Sequence, residues 1–109
     1  MPHLRFRGVD EATLCAISQP LVDQLATLVA TSRDNFTLEL LTNPFVFDGQ
    51  RVTPEPMVQV LWFPRSQEVQ DSVARTITEA LRQQGEARDI AVFFMALTPS
   101  AYYDNGVHY

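Results

Sequence analysis

Lysine is missing from this 109-residue chain; all eight basic residues are arginine. That absence excludes phosphate-loop lysines, Schiff-base chemistry and a pyridoxal anchor. Cysteine is almost missing as well, and Cys15 alone cannot form an internal disulfide. Two histidines, His3 and His108, with that one thiol make a poor zinc inventory. No metal site is therefore expected. No run of about 18 apolar residues exists, so no membrane span or membrane partner is expected. The opening Met1-Pro2-His3-Leu4-Arg5 lacks the apolar core of a signal peptide, which places the protein in the cytoplasm. Positive charge is scarce too. Eight basic residues face thirteen acidic ones, for a net charge of -5 and no basic stripe, a poor match to nucleic acid.

What the chain does have is foldable composition. Its hydrophobic fraction is 46% and its charged fraction 19%, so residues 1–109 read as one ordered domain. Pro2–Arg7 alternates, with Leu4 and Phe6 on one face and His3, Arg5 and Arg7 on the other, as a half-buried strand does. Gly8 breaks it. Asp10-Glu11 opens a short helical turn carrying Leu14, Cys15 and Ile17. Pro20 suits the first turn of a second helical stretch, where its missing N–H costs nothing. Leu21, Leu25, Leu28 and Val29 follow at helical spacing, and Ser32–Asn35 ends the helix. Phe36–Leu41 reads as a mostly buried strand. Asp48-Gly49 between apolar runs predicts a hairpin over Phe45–Val52. Met57–Phe63 is a strand. Ser66 is an N-cap candidate with Gln67-Glu68 behind it. Val69, Val73, Ile77 and Leu81 form one helical stripe, and Gly85 sits at its C-terminal end. Ile90–Leu97 is an apolar strand, and the tail from Thr98 is turn-rich.

The order strand–helix–strand occurs twice. Pro2 and Pro56 are 54 positions apart, as are Phe36 and Ile90. Half a chain is too small for an independent core. The fold predicted is α+β: two tandem βαβ repeats, about 2–55 and 56–109, joined in one four-stranded mixed sheet with two helices on one face. The other face carries His3, Arg5 and Arg7, with either Met57, Gln59, Leu61 and Phe63 or Val58, Val60 and Trp62. An apolar outer face needs covering, and oligomerisation is the expected cover.

Two βαβ units in a chain beginning Met-Pro resemble the tautomerase superfamily, which includes 4-oxalocrotonate tautomerase and macrophage migration inhibitory factor. Pro56-Met57-Val58-Gln59-Val60-Leu61-Trp62-Phe63-Pro64-Arg65-Ser66-Gln67-Glu68 resembles the opening of a 4-oxalocrotonate tautomerase chain. Ala101-Tyr102-Tyr103-Asp104-Asn105-Gly106 is similar to that family's aromatic-then-glycine closing segment. The whole chain also resembles a small bacterial branch of the superfamily, through Met1–Gly8 and Val60-Leu61-Trp62-Phe63. The resemblance implies keto–enol proton transfer on a small carboxylated substrate by an N-terminal proline, without cofactor, in a homotrimer. The matching base is Pro2, once Met1 is removed. The matching carboxylate clamp is Arg65. The matching aromatic is Tyr103, with Tyr102 beside it and Trp62 as further pocket wall. Departures exist: the family's first-half helix-entry arginine falls at Glu11, and its strand arginine at Thr37 or Ala91.

A non-catalytic trimeric binding or structural protein of the same fold is the alternative, favoured by the missing second arginine. A ferredoxin-like RNA-binding module has similar repeats, but the net charge of -5 counts against it. The ordinary roles of the other residues are also expectations. Cys15 fills the core, Met57 and Met95 are core, His3 is structural, and Arg5 and Arg7 form ion pairs at a subunit contact.

Overall fold

Alternation in the first segment produces β1 (Pro2–Arg7), with Pro2, Leu4 and Phe6 buried and His3, Arg5 and Arg7 facing the other way. The computed structural model describes residues 1–109. β1 pairs in parallel with β2 (Thr37–Leu40) and antiparallel with β5 (Met57–Trp62), which pairs in parallel with β6 (Ala91–Ala96). The sheet order is β2-β1-β5-β6, so the two repeats meet at its centre. Two helices, α1 (Glu11–Leu28) and α2 (Gln67–Gln83), complete the βαβ units. Leu4, Phe6, Val58, Val60 and Trp62 from the strands pack with Leu14, Ile17, Leu21 and Leu25 of α1 and Val73, Ile77 and Leu81 of α2. Each fully buried side chain of this kind contributes about 1.5–3 kcal/mol.

Pro20 lies inside α1 rather than opening the second helical stretch expected from its position. Leu14, Ile17, Leu21 and Leu25 form one buried stripe across it. Pro20 itself is exposed, so water reaches the carbonyl its missing N–H leaves free. An interior proline costs about 3 kcal/mol, less than the burial of that stripe returns. The same periodicity corrects Cys15, which is exposed, one position past buried Leu14.

Both helices stop with the same geometry. In α2 the N–H of Gly85 bonds to Arg82 O and that of Glu86 to Leu81 O, around Gly85 at φ +91°. In α1 the matching bonds run from Ala30 to Thr27 O and from Thr31 to Ala26 O, around Ala30 at φ +53°. The helix therefore ends before Ser32, and Arg33–Asn35 forms a separate 3-10 turn.

β2 is half exposed rather than mostly buried, because it is an edge strand with one face open. Met57 and Met95 are likewise not core. With Gln59, Leu61 and Phe93 they lie on the face opposite the helices, and Met95 remains 50% exposed. The first of the two alternatives for that face is the one adopted, with Val58, Val60 and Trp62 buried. β3 (Phe45–Phe47) and β4 (Gln50–Val52) form the expected hairpin, with Asp48 at φ +51° and Gly49 at φ +71°. The tail contains a second one, β7 (Tyr103–Asp104) with β8 (Val107–His108), turning at Asn105-Gly106. Each repeat thus closes with its own two-stranded ribbon. Gly8 allows the repeats to meet: its φ is +78°, and a Cβ there would lie 2.4 Å from Glu55 O.

Candidate active site

The site builds from the end of the sheet where the chain begins. Pro2 is buried and stands opposite Trp62 in the β1–β5 ladder. Trp62, 1% exposed, packs on Phe94 with ring centroids 4.9 Å apart. Beyond β5 the segment Pro64-Arg65-Ser66 turns the chain into α2, and Ser66 Oγ caps that helix by accepting from Val69 N at 3.2 Å. The turn throws the Arg65 guanidinium back over the Trp62 ring, 5.6 Å from its centroid.

Arg65 donates to Phe63 O and, at 3.3 Å, to Val29 O. Val29 is the C-cap of α1, a helix with no basic residue in its last turn. The second repeat therefore supplies the cation that the helix end favours. Burial, and then the Arg65 charge, hold the chain-terminal amine below its ordinary value of 8.0. Both effects act against the cationic form of that amine.

Aromatic rings extend the site. Tyr102 meets Phe63 edge-on at 5.5 Å, and Tyr109 lies 5.5 Å from Phe63 and 5.2 Å from Tyr102. Tyr109 N also donates to Tyr102 O at 3.0 Å. Tyr103 turns the other way: it is 62% exposed and packs on His108 at 5.9 Å. The structure therefore brings Pro2, Trp62 and Arg65 together, joins Tyr102 to them through Phe63, and leaves Tyr103 outside within one chain. Trp62 sits on the core side of the sheet, beneath Arg65. Phe63 and Tyr109 join the site although neither is among the site residues expected from the sequence. The strand alternation after Trp62 was the one available signal for Phe63, and Tyr109 meets it only through the tail hairpin.

Other polar groups lie elsewhere. On the open sheet face His3 bonds through Nδ1 to Thr37 Oγ1 and through Nε2 to Glu39 Oε1 at 3.0 Å, and Arg5 Nε reaches the same oxygen at 3.0 Å. His3 and then Arg5 hold the Glu39 carboxyl below its usual range. Arg5 thus finds its ion pair within the chain. A cleft of about 500 Å³ opens where Gly8, Thr42, Pro54 and Gln84 meet. Arg88 crosses it, pairing with Glu86 at 2.7 Å and donating to Pro54 O and Gly8 O, each at 3.0 Å. That pairing brings Glu86 down to about 2. Neither this cleft nor the cavities beside Pro20 and Phe45 border Pro2 or Arg65. No three His, Cys, Asp or Glu side chains converge as metal ligands would, and no helix is long and apolar enough to cross a membrane.

The family model described as "Domain of unknown function (DUF1904)" matches residues 1–108. The chain belongs to the DUF1904 family. A DUF1904 crystal structure from Sebaldella termitidis is 31% identical, covers 100% of both chains and superimposes with a TM-score of 0.93. More distant structures share the fold of this DUF1904 chain. A macrophage migration inhibitory factor-like protein from Entamoeba histolytica is 15% identical, with 99% of this chain and 98% of that one covered and a TM-score of 0.73. A fused 4-OT, described as an asymmetric trimer, is 11% identical, with coverage of 97% and 94% and a TM-score of 0.80. The fold is thus that of the tautomerase and macrophage migration inhibitory factor superfamily. No curated protein is matched.

Proposed function

We propose that this protein transfers a proton between carbon and oxygen of a small carboxylated keto–enol substrate, with Pro2 as the base. The observation that carries the reading is the chain's amino end, held away from its cationic form beside Arg65. Removal of Met1 makes the terminal nitrogen that of Pro2, which stands opposite Trp62 on the same strand end, where burial likewise disfavours the cation. A neutral secondary amine near working pH is what a general base requires. It would take a proton from the carbon beside the substrate carbonyl, leaving an enolate, and return it to oxygen or to another carbon. Arg65 has five N–H donors. Two are engaged by Phe63 O and Val29 O, and the remainder would hold the substrate carboxylate and the enolate charge. Tyr102 would form the wall, Trp62 would support the Arg65 guanidinium from beneath, and Tyr103 would reach a site only from a neighbouring copy. A homotrimer in the cytoplasm completes the reading. The trimeric form of the fused 4-OT supports the assembly.

A second reading has its own observation. Arg65 already serves two carbonyls, and the clefts at Gly8, Pro20 and Phe45 all lie away from Pro2. A non-catalytic binding protein of the same fold would look this way. Intact mass of untagged protein, followed by ketonisation of phenylenolpyruvate, separates the two. The expected result is loss of Met1, turnover by the wild type, and a fall of about 100-fold or more in Pro2→Ala. Arg65→Ala should lose about 10- to 100-fold in kcat/KM. Retained Met1, or undiminished turnover in Pro2→Ala, would overturn the proline mechanism in favour of the binding protein.

A further inference from the structure

The cleft that Arg88 crosses lies at the end of the sheet away from Pro2. Pro2 begins β1, whereas Gly8, which lines the cleft, follows that strand's last residue, Arg7. Both repeats build it. The first supplies Gly8-Val9-Asp10 and Thr42-Asn43, the second supplies Gln84-Gly85-Glu86, and Thr53-Pro54 closes it from the segment before β5. Its volume of about 500 Å³ is that of a small-molecule site, for which roughly 300–1,000 Å³ is usual.

The walls are fixed before any ligand arrives. Gly8, at φ +78°, lies so close to Glu55 O that no side chain fits there. Arg88 fastens Gly8 O, Pro54 O and Glu86 to one another. Such preorganisation lowers the ordering cost of binding. The surface inside is mostly polar. Val9, Leu41 and Leu81 add little apolar lining, while Thr42, Asn43, Thr53 and Gln84 present exposed hydroxyl and amide groups. That inventory of donors and acceptors matches a molecule with several hydroxyls rather than an apolar one.

The charge pattern narrows the class further. Arg88 reaches both oxygens of Glu86, at 2.7 Å to Oε1 and 3.0 Å to Oε2, so its charge is already answered and offers little to an anion. Asp10 differs. It is exposed, its Oδ1 accepts from a neutral hydroxyl, Thr13 Oγ1, at 2.5 Å, and it enters none of the chain's ion pairs. The Thr13 hydrogen bond holds its carboxyl below the usual range, so it is ionised at neutral pH. The C-terminal end of α2, which carries partial negative charge, borders the same space through Leu81 and Gln84. A protonated amine is favoured in such a field, and a carboxylate is repelled.

We propose that this cleft binds a small polyhydroxylated amine, with Asp10 as counter-ion to its ammonium group and Thr42, Asn43, Thr53 and Gln84 as partners for its hydroxyls. The site is separate from Pro2 and Arg65 and does not depend on turnover.

Glucosamine, glucose and glucuronate are matched probes, one cationic, one neutral and one anionic. Each is titrated into intact, isotope-labelled protein and followed by residue-resolved NMR. Glucosamine should shift the amides of Gly8, Thr42, Thr53 and Gln84 along a saturable curve. Glucose should bind about 10-fold more weakly, and glucuronate should leave those amides unmoved. Asp10→Asn should weaken glucosamine by about 10-fold, to the level of glucose. Unshifted core amides at Val60 and Ile77 would show that the variant folds. Thr53→Val, at an exposed position, should weaken glucosamine and glucose alike. Absence of a saturable shift with glucosamine would overturn the proposal. So would equal binding of glucose and glucosamine by the wild type, or glucosamine binding untouched by Asp10→Asn.

Discussion

At the scale of single residues, this chain places few charges and gives each several partners. Arg65 joins two repeats by answering the carbonyl at the end of α1 from the loop after β5. Arg88 ties Gly8 O and Pro54 O to the end of α2 while holding Glu86. Glu86 titrates near 2 in the folded protein against an ordinary 4.5. A carboxyl lowered by folding adds stability that is complete above its unfolded value and is lost as pH falls toward the folded one. Stability should therefore decline between about pH 4.5 and 2, with Asp10 and Glu39, also lowered, acting in the same direction. Glu86→Gln should be less stable at neutral pH and show a shallower acid slope in that window, as read from urea midpoints against pH. Equal slopes would show that the Arg88 pair is idle. Ala30 is a second residue-scale case. It holds φ +53° at a helix end where Gly85 serves the other repeat. Ala30→Gly should therefore raise stability by about 0.5–1 kcal/mol, seen as a higher denaturation midpoint.

At the scale of elements, continuity of the buried stripe outweighs local preference. Pro20 would end a peptide helix, yet α1 runs through it because Leu14, Ile17, Leu21 and Leu25 bury one face. The penalty persists as an unmade hydrogen bond on the wet side. Pro20→Ala should consequently stabilise the protein by about 1–3 kcal/mol, measured by chemical denaturation, with the far-UV spectrum gaining little helix. The two ribbons show the opposite balance. Asp48-Gly49 and Asn105-Gly106 prescribe their turns through positive φ, so local chemistry alone suffices to make them. Only the second is anchored to its own chain, by the Phe63–Tyr102–Tyr109 group.

At the scale of the whole molecule, the repeats share one core and cannot unfold separately. β1 and β5 lie side by side at the centre of the sheet, and α1 and α2 pack on the same face. Ile77, fully buried in α2, contacts a core assembled from both halves. Ile77→Ala should cost about 2–5 kcal/mol and lower one transition, seen together by circular dichroism and by Trp62 fluorescence. Two separated transitions would contradict the shared core. The sheet's second face is the other feature at this scale. It combines His3, Arg5 and Glu39 with Met57, Leu61, Phe93 and Met95, a partly apolar surface that the two helices leave uncovered.

Periodicity and turn chemistry are local, and the sequence alone determined what depends on them: the repeat, every strand of the main sheet, α2 with its Ser66 cap, and the Asp48-Gly49 hairpin. The resemblance to the tautomerase superfamily, carried by the Met-Pro opening and the Pro64-Arg65-Ser66 turn, implied Pro2 and Arg65 as a pair to look for. What sequence could not settle was each choice between two local options made by a distant neighbour. Pro20 stays in a helix because the sheet needs the stripe on both sides of it. Cys15 is exposed by the phase of that same stripe. Met57 and Met95 lie outside because two helices can cover only one face of four strands. Tyr102 rather than Tyr103 meets Phe63 because the Asn105-Gly106 turn sets which side of the ribbon faces the sheet. Tertiary structure decided these matters because each depends on which surface is left after the rest of the chain has packed.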